Sequence, residues 1–237
     1  MPVTEIKPLP QLAEPRPRTI TDQVFEVLYQ RVVNLTLPPG SRLSEAEVAA
    51  QMGVSRQPVR DAFYRLSQLG FIQIRPQRAT TVTVISEEAV LRAYFIRAAL
   101  EEAVMRDAAR VLTPADHDTL GELIQQQRAT LDTGSNEDFH ELDDRFHKLI
   151  CDAAGLEFVW TLVKENKGHM DRARFLSLSF GAPRVVDEHA EILDALRQRD
   201  GERAAAAVRV HLSQISAIIG RLKQDRPEMF EPSVAAP

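Results

Sequence analysis

The chain of 237 residues holds a single cysteine, Cys151, which excludes an internal disulfide framework and fits a reducing cytoplasm. Aromatic residues make up only 6%, while alanine, leucine, arginine and glutamate are plentiful, so a mainly α-helical protein is expected. No apolar run approaches the roughly 18 residues that a membrane helix needs, and no membrane contact is expected. The first 18 residues are proline-rich and polar, unlike the apolar stretch of a secretory signal.

The net charge of −5 conceals two opposed regions. Residues 54–84 carry Arg56, Arg60, Arg65, Arg75 and Arg78 against Asp61 alone, a net +4, whereas residues 85–237 sum to −8. An acidic body with one basic segment points to a local polyanion contact rather than a general nucleic-acid coat.

That basic segment lies in a first domain, residues 19–84, preceded by a flexible tail at 1–18. Val24, Phe25, Leu28, Val32 and Leu35 recur at helical spacing from Thr21, and Leu37-Pro38-Pro39-Gly40 breaks the pattern. Ser44 with Glu47 makes a capping box for a second helix, which Gly53 ends. Ser55 caps a third helix with Pro58 in its first turn, and Gly70 closes it. Phe71–Ile74 and Thr81–Val84 then alternate as two strands about a basic turn. This is the order of a winged helix-turn-helix. A recognition helix meets base edges with its first turns, where Arg56 and Arg60, four apart, share one face. An arginine can hold O6 and N7 of guanine with two hydrogen bonds. Ser55 and Gln57 can serve phosphate or base, and Arg75, Gln77 and Arg78 of the wing reach backbone or minor groove. Each arginine alone is equally compatible with a solvated helix face. The ordered set points to double-stranded DNA.

Residues 86–223 read as about six antiparallel helices in a bundle, with breaks at Thr113-Pro114, Gly134-Ser135, Gly155, Gly181-Ala182-Pro183 and Asp200-Gly201. Residues 224–237 read as a second tail. Among six histidines, His147 follows Asp143 by four positions, so both project from one helix face. His189 and His211 lie on apolar faces of two later helices. The ordinary alternatives are a surface hydrogen bond for the pair and satisfied core imidazoles for the other two. Spacing alone does not bring the four together.

Leu37-Pro38-Pro39-Gly40-Ser41-Arg42-Leu43-Ser44-Glu45 and Val54-Ser55-Arg56-Gln57-Pro58-Val59-Arg60-Asp61-Ala62 resemble the winged helix of GntR-family bacterial regulators. The resemblance implies that Arg42, Arg56, Arg60 and the wing contact an operator. Asp143-Asp144-Arg145-Phe146-His147, then Glu188-His189 through Leu196, then His211-Leu212 resemble the ligand-binding FCD domain of the FadR subfamily. This second resemblance implies a divalent cation on Asp143, His147, His189 and His211. One oxygen and three nitrogens suit Zn²⁺ first, with Ni²⁺ or Mn²⁺ as alternatives. It also implies that Arg97 faces the effector cavity, where it could clamp a carboxylate; an ion pair with Glu101 is the alternative. Arg172 and Arg174 are further cavity candidates. Cys151 reads as a small buried hydrophobe, and Phe158 and Trp160 as core.

The expected function is a homodimeric transcriptional repressor on a palindromic operator, controlled by a small organic acid. The rival is a metal-dependent enzyme fused to a DNA-binding module, against which stands the lack of a His-Glu-x-x-His motif.

Overall fold

The computed structural model describes residues 18–75, 78–133 and 135–232. The first domain opens with α1 (Ile20–Val33), where Thr19 and Asp22 cap each other reciprocally. Next come β1 (Arg42–Leu43), α2 (Glu45–Met52) and α3 (Arg56–Gln68). Ser44 Oγ accepts from the Glu47 amide, and Gly53, at a φ of +66°, takes the left-handed turn that redirects the chain into α3. Ser55 occupies the N-cap position of α3, yet its hydroxyl makes no capping bond.

The wing is β2 (Ile72–Gln73) and β3 (Thr80–Val82), and β1 adds to β3 to give an antiparallel sheet of order β1-β3-β2. The sequence gives no sign of β1, because two residues cannot display an alternation. Val24, Leu28, Val32, Val59, Phe63, Leu66, Phe71 and Val82 form one core beneath α3 and the sheet.

Six helices follow: α4 (Glu87–Val111), α5 (Pro114–Thr133), α6 (Asn136–Ala153), α7 (Glu157–Asn166), α8 (Gly168–Arg197) and α9 (Gly201–Asp225). They enclose a second core that includes Val104, Phe146, Ile150, Ile192, Leu196 and Ile215. The break expected at Gly181-Ala182-Pro183 is absent: α8 runs through Pro183. Proline removes one backbone hydrogen bond, but Leu178, Ala182 and Val186 are buried on either side of it, and their packing holds the helix together.

The stretch after α9 also departs from expectation. Residues 224–232 do not trail away as a tail. A 3₁₀ turn at Pro227–Met229 delivers Phe230, 5% exposed, into the second core. There the strand-like segment pairs with Ile85, between the wing and α4: Ile85 N donates to Met229 O at 2.7 Å and Glu231 N to Ile85 O at 3.1 Å. The proline and charge content of this stretch conceals the one aromatic anchor that fixes it.

The two domains meet at the start of α8. Arg172 donates to Thr83 O at 2.5 Å. His169 stacks on Phe71 and binds Leu69 O at 2.8 Å, which makes its Nε2 the protonated nitrogen. Gly168 permits this approach: a Cβ there would lie 2.3 Å from the Tyr29 hydroxyl.

Candidate metal centre and nucleic-acid interface

Helix α6 buries a stripe of Phe139, Leu142, Phe146 and Ile150, and Asp143 and His147 lie within it. His189 comes inward from α8, stacked on Phe146, and His211 from α9, its ring beside those of His147 and His189. One potential ligand atom from each of the four lies within 4.8 Å of all the others, and all four residues are buried.

Asp143, His189 and His211 are hydrogen-bonded from outside, and His147 has a carboxylate alongside it. His189 Nδ1 donates to Gln127 Oε1 and His211 Nδ1 to Glu188 Oε2, both at 2.9 Å. His147 Nδ1 lies 2.5 Å from Glu101 Oε2, and Arg174 donates to Asp143 Oδ1 at 2.6 Å. Such partners fix ring tautomer and orientation, leaving the far nitrogens to face inward. Asp143 Oδ2, His147 Nε2 and His189 Nε2 are buried and have no hydrogen-bond partner among the described residues. A folded protein rarely leaves converging buried acceptors empty-handed. The donor set and these orphaned atoms fit a divalent cation.

Protonation states agree. Burial, with His211 close by, drives the His189 imidazole well below its usual range, and burial lowers His211 as well. Burial pushes the Asp143 carboxyl up, but Arg174, His147 and His189 together outweigh it and hold it well below the ordinary carboxylate range. Neutral imidazoles and an ionised carboxylate are the forms that bind metal.

Arg97 makes the ion pair that was the alternative reading of it. It is 1% exposed, and its Nε donates to Glu101 Oε1 at 2.5 Å, the i,i+4 ion pair. Its two terminal nitrogens have no hydrogen-bond partner among the described residues. Burial raises the Glu101 carboxyl, but Arg97 and His147 outweigh it and bring it down to about 2. Glu101 thus joins Arg97 to His147, one of the four candidate ligands.

Arg172 is not in the cavity. Two residues along a helix are about 200° apart, so Arg174 faces Asp143 while Arg172 faces the wing domain and spends its donors on Thr83. Cys151 is buried, as expected, and so is Trp160, but Phe158 is 63% exposed. The same two-residue rule applies on α7, where Trp160 takes the inner face. Glu101, Gln127 and Glu188 escaped the sequence reading as holders of the histidines. Only Glu101 carried a signal, its spacing from Arg97.

At the other end of the molecule, Ser55, Arg56, Gln57 and Arg60 are exposed on the first turns of α3, with Arg42 exposed on β1 and Arg75 and Arg78 exposed on the wing. Gln77 lies outside the described residues. Arg56 and Arg60 both rest against Glu45 Oε2, at 3.4 and 3.5 Å, and Gln57 donates to Asp61 at 2.9 Å. Glu45, at the start of α2, is a feature the sequence did not disclose. No helix among the described residues is long and apolar enough to cross a membrane.

Comparison with known proteins agrees with this architecture. Residues 20–82 match the bacterial regulatory proteins of the gntR family, and residues 92–214 match the FCD domain. The HTH-type transcriptional repressor RspR of Escherichia coli K12 is 37% identical over 213 residues, covering 89% of this chain and 93% of its own. A Streptomyces ambofaciens HTH-type transcriptional regulator in an unstable DNA locus is 37% identical over 230 residues, 94% of this chain and 95% of its own. Among solved structures, E. coli McbR/YncC superposes with a TM-score of 0.73 at 23% identity, over 86% of this chain and 98% of that one, a likeness of fold. These relatives are named as regulators of transcription, which sets aside the reading of a metal-dependent enzyme. The chain belongs to the gntR family of bacterial transcriptional regulators, in the FadR subfamily that joins a DNA-binding winged helix to an FCD domain.

Proposed function

We propose that the FCD domain holds a divalent cation, zinc by preference with nickel or manganese as substitutes, on Asp143, His147, His189 and His211. A small carboxylate bound beside that centre controls the grip of a homodimeric cytoplasmic repressor on a palindromic operator. The observation that carries the reading is the set of inward-facing buried ligand atoms without partners, Asp143 Oδ2, His147 Nε2 and His189 Nε2. A bound cation supplies a Lewis-acid centre for the carboxylate. The free terminal nitrogens of Arg97 offer it two parallel hydrogen bonds.

The route to DNA is short. On α8, Arg174 holds Asp143 and Arg172, two residues earlier, holds the wing domain at Thr83. A change in how Arg174 is engaged turns the same helix segment that seats the recognition unit. The coupling required is typically about 1–3 kcal/mol. The packed helices α4 and α9 expose Leu91, Phe95 and Val210, an apolar surface suited to a second copy. Two recognition helices then meet successive half-sites.

Metal analysis tests the centre. Purified protein should carry about one ion per chain, and His189→Ala should carry none. A ligand at a thousandfold excess over its Kd stabilises by about 4 kcal/mol, so stripping it should lower Tm by about 8–16 °C. A His189→Ala variant with unchanged metal content and melting would overturn the assignment.

A further inference from the structure

A pocket of 250 Å³ opens between α8 and α9, lined among the described residues by Arg174, Leu178, Arg184, Val185, Glu188 and Arg221 and others. Its inner wall is the outer wall of the metal centre, because Arg174 is the partner of Asp143 and Glu188 is the partner of His211. We infer that this pocket receives a short aliphatic dicarboxylate, one end on Arg174 and the other on Arg184 and Arg221. The inference rests on the carboxylate effector proposed above and names its class.

Charge argues for an anion. Three guanidiniums and one carboxylate are among the described lining residues, while Asp143 and Asp225, the partners of Arg174 and Arg221, stand outside the lining, so an entering acid meets mainly guanidinium groups. The cations form two poles. Arg174 is deep, 7% exposed, and its second terminal nitrogen is buried without a hydrogen-bond partner among the described residues. A buried guanidinium donor left unmatched is costly, and a ligand oxygen relieves it. Arg184 and Arg221 stand at the rim, their side chains 65% and 58% exposed, held to Glu188 and Asp225. Between the poles the walls include Leu178 and Val185, which suit methylene groups. A monoacid reaches one pole; a dicarboxylate reaches both. Glu188 ties rim to centre, since its Oε1 accepts from Arg184 while its Oε2 accepts from His211. An acid that draws Arg184 to itself changes what holds the His211 ring.

Calorimetry on the metal-loaded full chain tests this with three pairs of equal length: succinate and butyrate, glutarate and valerate, adipate and hexanoate. In at least one pair the diacid should bind about tenfold more tightly, the effect of one further charge-assisted contact. Arg221→Gln and Arg184→Gln should each remove most of that preference, and Arg221→Gln, which is not bonded to Glu188, should leave the metal content unchanged. Equal binding of diacid and monoacid in every pair, or a preference indifferent to both substitutions, overturns the dicarboxylate while the carboxylate effector stands. A diacid preference that survives chelation keeps the pocket and overturns the metal contact. Binding of none of the six acids overturns the aliphatic dicarboxylate.

Discussion

The arginines of the recognition unit and those of the helical core are one residue type in opposite surroundings. Arg56 and Arg60 are about 60% exposed and rest on a shared carboxylate at 3.4–3.5 Å, contacts long enough to be given up without strain. Arg97 and Arg174 are nearly fully buried, bonded at 2.5 and 2.6 Å, and still keep donors without partners. The first pair is open to solvent, which can satisfy its donors. The second pair has no water to turn to, so its unmatched donors mark where a ligand belongs. Exposed cations advertise a surface contact; buried ones with spare donors advertise a cavity occupant.

Four substitutions bear on that contrast, taken from the largest effect to the smallest. Glu101→Ala strands Arg97 as an unpaired buried charge and should cost about 3–5 kcal/mol in a denaturant melt. It should also weaken metal binding about 10–100-fold by freeing His147; a cost below about 1 kcal/mol would erase the distinction between core and surface arginines. Arg56→Ala should leave the melt alone and remove about 1–3 kcal/mol of discrimination between operator and scrambled DNA at fixed salt. Retained discrimination would mean that α3 is not the reader. Arg172→Ala should leave effector binding intact while reducing the change in operator affinity that effector produces, by part of a coupling of about 1–3 kcal/mol. Glu45→Gln should change stability by no more than about 0.5 kcal/mol. It should raise DNA affinity modestly, since it removes the anion that Arg56 and Arg60 now share.

The DNA-binding half was legible because its signals are local. Ser44, Gly53 and Pro58 each dictate a backbone event at their own position, and the structure puts a helix start, a left-handed turn and a first helical turn there. The sensor half was legible only in outline. The six helices follow from caps and periodicity, but Pro183 misled, because a local breaker lost to packing on both sides. Phe230 misled the other way, since one aromatic in a polar stretch carries no period. For the metal centre, the i,i+4 pair on α6 could be read directly, whereas the arrival of His189 and His211 came from family likeness. Gln127 and Glu188 were out of reach: the pairing of Gln127 with His189 joins α5 to α8 across 62 residues, and nothing in either segment anticipates it.

The return of the chain to Ile85 makes the sensor a cassette. The polypeptide enters it at Ile85 and, having traversed α4 to α9, comes back to lie against Ile85 through two main-chain bonds. What α8 asks of its DNA-binding neighbour is partly main chain, the carbonyls of Thr83 and Leu69, and partly side chain, the Phe71 ring under His169 and the Tyr29 hydroxyl against Gly168. A different winged helix with the same backbone path would present the same two carbonyls, and would need rings at positions 29 and 71 to complete the seat. Asn34 adds a second tie, its Nδ2 donating to Glu137 Oε1 at 3.0 Å, so the seat depends on a few side chains as well as on backbone. The exposed first turn of α3 takes no part in that seat and can vary while the junction is kept.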